Sequence, residues 1–225
     1  MASWMRHSSW QPHSPSRARC RRRPARPQAA MAAQISAAPP RGGALLELYA
    51  GCAAVTAAAA DRGLRIAVPC EIQGGRHFDL QDRRVQSEIV RWLRCGLVWA
   101  VWLGTPCTGW SQARTTSTSP PASAECAKFT VRVLRLCARL GIHMGLENPA
   151  SSQLFKLPTI QRALALIPCT AVSFHMCAFG AVWKKPTTVV TTLPGSKLLQ
   201  RSCPSPALPH VSLRGSVVVP GLGSK

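Results

Sequence analysis

Acidic residues are scarce in this sequence. Eight Asp and Glu stand against 28 Lys and Arg, for a formal net charge of +20 over 225 residues. A field of that sign attracts phosphate backbones or anionic surfaces. Long apolar runs are missing too. The longest strongly apolar one, residues 97–103, is far short of the ~20 residues a membrane helix needs, and the Ala-rich stretch 44–60 is interrupted by Glu47. No membrane contact is expected. There are ten cysteines but no Cys-x-x-Cys pair, and neither a secretory signal nor an internal repeat is evident. This pattern points to reduced thiols inside a cell rather than a disulfide scaffold. Cys169, His175, Cys177, Cys203 and His210 have zinc-ligand chemistry, but their spacing fits no common finger, and no metal site is expected.

Composition divides the chain into three parts: a tail over 1–43, a domain over 44–193 and an extension over 194–225. The tail has no acid and carries "RARCRRRPARP" among many Ala, Ser and Pro. It cannot bury enough apolar surface to offset chain entropy and is expected to be disordered. Its composition suits an organelle transit peptide, a nuclear address, a nucleic-acid-binding arm or a tail without a role. The extension is rich in Pro and Gly, and its structure is left open.

The domain alternates strand and helix. Strands are predicted over 44–50, 64–71, 97–103, 142–149, 171–177 and 187–192. Helices are predicted over 53–63, 83–96, 124–141 and 159–168. In the second helix Val85, Ile89, Trp92 and Leu93 share one face, with Gly96 as the stop. In the third, Cys126, Phe129, Val133, Leu136, Cys137 and Leu140 oppose a basic side. The alternation implies an α/β fold with a mostly parallel sheet. The last two strands lack a long helix between them, so an antiparallel pair at one edge is expected, with "FGAVWKKP" as its turn.

Polar groups gather at the carboxyl ends of the strands, where α/β sheets bind ligands. "ELYAGC" (47–52) runs into a glycine turn that lets a ligand approach the backbone. Glu71 ends the second strand, where an acid can accept from ribose hydroxyls or simply meet solvent. In "FDLQD" (78–82), Asp79 or Asp82 could face an amine, and Asp82 could equally cap the next helix. "GTPCTGWSQAR" (104–114) presents Cys107 behind Pro106 as the apolar strand ends. "ENP" (147–149) places Glu147 and Asn148 at the end of a later strand.

"LLELYAGCAAVT", "GTPCTGWS" and "GLENP", in that order, resemble the S-adenosylmethionine loop, the Pro-Cys nucleophile loop and the Glu-Asn motif of DNA cytosine-C5 methyltransferases. The likeness covers residues 44 to about 193. It implies a Rossmann-like class I methyltransferase fold and S-adenosylmethionine as cofactor. Cys107 would add to C6 of a flipped cytosine, Pro106 would aim the thiol, and Glu147 would bond the ring nitrogen N3 and the amine. Tyr49, Ala50, Gly51 and Cys52 would border the methionine end of the cofactor, Glu71 its ribose and Asp82 its adenine. Ser111, Arg114, Asn148, Lys184 and Lys185 would contact the substrate, a nucleic acid and by resemblance DNA.

The sequence departs from the family pattern in three ways. Ala53 and Ala54 stand where the cofactor loop usually carries glycine. The Gln-x-Arg-x-Arg stretch is absent, with Lys184, Lys185 and Arg162 the nearest basic residues. The 32 residues after position 193 leave no room for a target-recognition domain, so a separate recognition partner is expected. Two readings follow: a compact or truncated cytosine-C5 methyltransferase, or a non-catalytic, methyltransferase-like nucleic-acid-binding module.

Overall fold

The computed structural model describes residues 43–110, 121–205 and 210–211. The expected disordered tail, Ser111 and Arg114 lie outside the described residues.

Among the described residues, five strands form one sheet: β1 (Ala44–Leu48), β2 (Val98–Leu103), β3 (His143–Pro149), β4 (Thr170–His175) and β5 (Pro186–Thr191), in the order β1-β2-β3-β5-β4. β1, β2 and β3 run parallel, whereas β5 is antiparallel to both of its neighbours. The expected antiparallel pair therefore closes this edge of an α/β sheet, with the reversed strand one place in. Side-chain character explains which strand is outermost. β5 buries Thr187, Val189, Val190 and Thr191, while β4 leaves Thr170, Ala171 and Ser173 exposed.

β2 reads "VWAVWL", and branched and aromatic residues of this kind favour a half-buried pleated surface. Leu48, Leu103, Met144 and Leu146 are fully buried and form the middle of the core. Gly145 is required by its neighbour, because a side chain there would run into the Trp102 ring. α1 (Ala54–Ala60) lies over β1, where Ala59 packs with Leu45 and Ala100. α2 (Arg83–Arg94), α3 (Pro121–Leu140) and α4 (Pro158–Leu164) pack against one another in sequence order. α3 buries Cys126, Phe129, Val133, Leu136 and Cys137, as its periodicity predicts, and exposes Lys128, Arg132, Arg135 and Arg139; Leu140, predicted on the apolar face, is exposed at the end of the helix.

One predicted strand is not formed. Residues 64–71 run beside β1 but make only two isolated bridges, Leu45 with Ile66 and Leu48 with Cys70. The two chains fall out of step, because the segment takes one more residue than β1 between the bridges. Pro69 lies in that interval and has no N–H to give to a ladder.

Candidate active site

The ends of β1, β2 and β3 carry the functional candidates. β2 and β3 are adjacent and parallel, with Leu103 opposite Leu146, about 4.8 Å away. Cys107 and Glu147 thus leave neighbouring strand ends on the same edge of the sheet.

The loop from β2 is held from several sides. The Gly104 N–H donates to Leu48 O at 3.0 Å. A Cβ on Gly104 would stand 2.8 Å from Tyr49 O, so only glycine lets the two strand ends approach this closely. Thr105 is buried, and its hydroxyl shares a 2.8 Å hydrogen bond with Thr130 of α3. The Asn148 Nδ2 donates to Thr105 O at 2.6 Å and to Glu147 O at 2.9 Å. A turn then follows, with the Trp110 N–H donating to Cys107 O at 2.9 Å and the Gln153 N–H donating to Trp110 O at 2.8 Å. Within this frame Cys107 is half-buried, with a free thiol.

The resemblance places Asn148 on the substrate. It is instead 1% exposed and ties β3 to the cysteine loop. An amide suits this position because it donates to two carbonyls without placing a charge in the interior. Its Oδ1 has no partner among the described residues.

Glu147 is half-buried and forms an ion pair with Lys185 Nζ at 3.4 Å. Lys185 arrives from the segment before β5 and is fixed through its backbone, where its carbonyl accepts from the Met176 N–H at 3.1 Å. The predicted basic residue therefore meets the predicted acid. Lys184 is exposed, and exposed Arg162 donates to Pro158 O within its own helix.

The turn after β1 carries three left-handed residues, Tyr49, Gly51 and Ala53, with φ of 57°, 55° and 54°. For the two non-glycine residues this costs about 1–2 kcal/mol each, and such strain collects at functional turns. The Gly51 N–H donates to Glu71 Oε2 at 2.8 Å, and no atom lies within 4 Å of where its Cβ would be. Ala50 is buried and Cys52 exposed. Below the turn, buried Glu47 accepts from Thr56 N at 2.7 Å and from Thr56 Oγ1 at 2.5 Å, which satisfies the start of α1 internally. Burial holds the Glu47 carboxyl above its ordinary pKa, and its bonds to Thr56 only partly oppose that shift.

Tyr49, Glu71, Ile72, Phe78, Asp79, Leu80 and Pro106 line a cleft between these loops, with Cys70 and Cys126 in its wall. Burial pushes the Cys70 thiol up to about 12 and raises that of Cys126, so neither supplies thiolate at neutral pH. Tyr49 is anchored by its hydroxyl, which donates to Cys126 O at 3.1 Å.

Asp82, expected at the adenine, does not line the cleft. It caps α2 by accepting from Arg84 N at 2.7 Å. Asp79 takes the place beside the cleft, its Oδ1 accepting from Gln81 N at 2.9 Å. The residues present fit S-adenosylmethionine in kind. Gly51 leaves a backbone face open, Glu71 and Asp79 can accept from hydroxyls and amines, and Ile72, Phe78 and Leu80 offer an apolar wall. The cleft's volume is only about 80 Å³, against roughly 300 Å³ or more for a typical small-molecule pocket. A nucleoside ligand would have to extend beyond it.

No protein-family profile and no curated protein matches the chain in sequence. Among solved structures, the chain resembles the Dnmt2 methyltransferase of S. pombe at 12% identity, over 65% of this chain and 49% of that one, with a TM-score of 0.45. It resembles a mutant of the Spodoptera frugiperda DNMT2 at 16% identity, over 68% and 52%, with a TM-score of 0.46. The chain thus spans about half the length of each.

Proposed function

We propose that the chain transfers a methyl group from S-adenosylmethionine to C5 of cytosine in nucleic acid, by resemblance DNA, through a covalent adduct at Cys107. The observation that carries this reading is the join between Cys107 and Glu147. They leave adjacent parallel strands, and Asn148 locks one loop to the other beside the open backbone of Gly51.

In this reading the Cys107 thiolate bonds to C6 of the base, and the displaced electron pair builds at C5. The Glu147 carboxyl bonds N3 and the 4-amino group and steadies the charge that develops in the ring. When bound, S-adenosylmethionine would supply C5 with an electrophilic methyl from its sulfonium. Loss of the C5 proton to water and elimination of the Cys107 sulfur then free the product. Pro106 narrows the loop's backbone freedom and so directs the thiol. Tyr49, Gly51, Glu71 and Asp79 would hold the cofactor. Lys185 neutralises Glu147 at rest, and a phosphate near the site can draw it away.

A second reading, a nucleic-acid-binding module without catalysis, draws on the small cleft and on the exposed basic row of α3. One experiment separates the two. Purified full-length chain is incubated with S-adenosylmethionine labelled in its methyl group and with cytosine-containing DNA and RNA. Label in 5-methylcytosine that disappears in Cys107→Ala supports the enzyme. Nucleic acid binding without label transfer supports the module.

A further inference from the structure

We propose that Cys177, Cys203 and His210 form a Zn²⁺ site of three protein ligands that pins the C-terminal stretch to the sheet edge. The two Sγ atoms and a ring nitrogen of His210 all lie within 4.8 Å of one another. Cys203 Sγ stands 3.5 Å from His210 Nε2. Tetrahedral Zn²⁺, with Zn–S of about 2.3 Å and Zn–N of about 2.0–2.1 Å, sets a sulfur and a nitrogen ligand about 3.5 Å apart. The Cys203–His210 pair already has that spacing. Two sulfurs and an imidazole are also the donor set that zinc prefers over the harder divalent cations.

Linear spacing hides the site because its ligands come from three separate segments. Cys177 lies in the short 3-10 turn Met176–Phe179 that ends β4, with its carbonyl accepting from the Gly180 N–H at 3.2 Å. Cys203 lies on a stretch that runs back along β4, where the His175 N–H donates to Arg201 O at 3.0 Å. His210 is placed by the Val211 N–H, which donates to Val182 O at 3.0 Å. Each ligand thus has its own backbone anchor, so little ordering remains for the metal to impose. His175 Nδ1 accepts from the Cys203 N–H at 2.8 Å and so orients a ligand rather than joining the set. All three ligands are half-buried, which leaves a path for the ion and a fourth position for water or another donor. Binding releases two thiol protons to solvent. The turn that carries Cys177 also holds the Lys185 carbonyl through the Met176 N–H, so the metal steadies the residue paired with Glu147. The proposal stands independently of methyl transfer.

The test uses the reduced, metal-free full-length chain. With a chromophoric chelator competing, one Zn²⁺ per chain is expected. Co²⁺ in its place should show the visible bands of a tetrahedral site and a sulfur-to-metal charge-transfer band. Zinc should protect Cys177 and Cys203 from iodoacetamide, while exposed Cys52 and Cys95 label equally with and without metal. The Cys177→Ser/Cys203→Ser variant should lose more affinity than the about 100-fold that outer-shell changes reach. Full labelling of Cys177 and Cys203 under saturating zinc would overturn the site. So would zinc uptake unchanged in the double variant, or a Cys177–Cys203 disulfide in chain isolated from cells under acid quench. The labelling is done on the unaltered chain and does not depend on a variant folding.

Discussion

Asn148 offers the sharpest mutational test of how the site is held. Its amide donates to Thr105 O and Glu147 O, and both Asn148 and Thr105 are almost wholly buried. Asn148→Ala leaves the Thr105 carbonyl without its donor and out of reach of water, a loss of about 1–3 kcal/mol. Asn148→Asp is worse at neutral pH, because it brings an unpaired carboxylate against two carbonyl oxygens. An uncompensated buried charge costs roughly 3–5 kcal/mol. Protonation restores one donor, so the folded pKa of this new Asp lies above its unfolded value. Stability relative to wild type is therefore best at low pH and is lost as pH rises through the raised pKa. Urea unfolding of the full-length chain at pH 5 and pH 8 measures both variants, and the iodoacetamide rate at Cys107 reports on the loop. Asn148→Asp should fall further behind at pH 8 than at pH 5, and Cys107 should label faster in both variants. An Asn148→Ala chain within about 0.5 kcal/mol of wild type, with unchanged labelling of Cys107, would refute the role of Asn148 as the tie.

The other expectations concern the cofactor turn, charge and nucleic acid. Gly51→Val should abolish S-adenosylmethionine binding in isothermal titration, since φ of 55° disfavours a branched residue and the side chain would occupy the open face; unchanged binding would move the pocket elsewhere. Glu47 has a raised folded pKa, so its contribution is fully present below its unfolded pKa and is lost as pH rises through the folded one. Wild type should therefore lose stability relative to Glu47→Gln as pH rises from 4 to 8 in urea melts, and a difference running the other way would contradict the burial argument. Nucleic acid binding should weaken steeply with salt if Lys and Arg meet phosphate, and an affinity flat from 50 to 200 mM salt would count against such a partner.

Much of this structure was legible in the sequence because its signals are local. The α3 periodicity and the branched run of β2 each specify their element without help from distant residues. The strand over 64–71 was not legible, because its failure depends on register against β1 and on Pro69 within that register. The α2 cap held two readings in "FDLQD", and only the placement of Asp79 beside Tyr49 and Pro106 separated them. The motif marks Asn148 but not its burial, which depends on what α3 and the Thr105 loop place around it. Thr130 gave only one signal, a polar residue on the buried face of an amphipathic helix. The Cys177, Cys203 and His210 cluster escapes spacing rules because its ligands are brought together by the fold rather than by a local motif.

If Cys107 is a nucleophile toward cytosine, a mechanism-based trap will capture it. An oligonucleotide carrying 5-fluorocytosine is incubated with the full-length chain and S-adenosylmethionine. Fluorine blocks the elimination step, so the base should remain covalently attached to Cys107 and be located there by peptide mass mapping. Cys107→Ala should give no adduct, and Glu147→Gln should form it more slowly, because activation of the ring is weaker. The absence of any adduct across varied DNA and RNA sequences, from a chain shown to bind both nucleic acid and cofactor, would contradict the account.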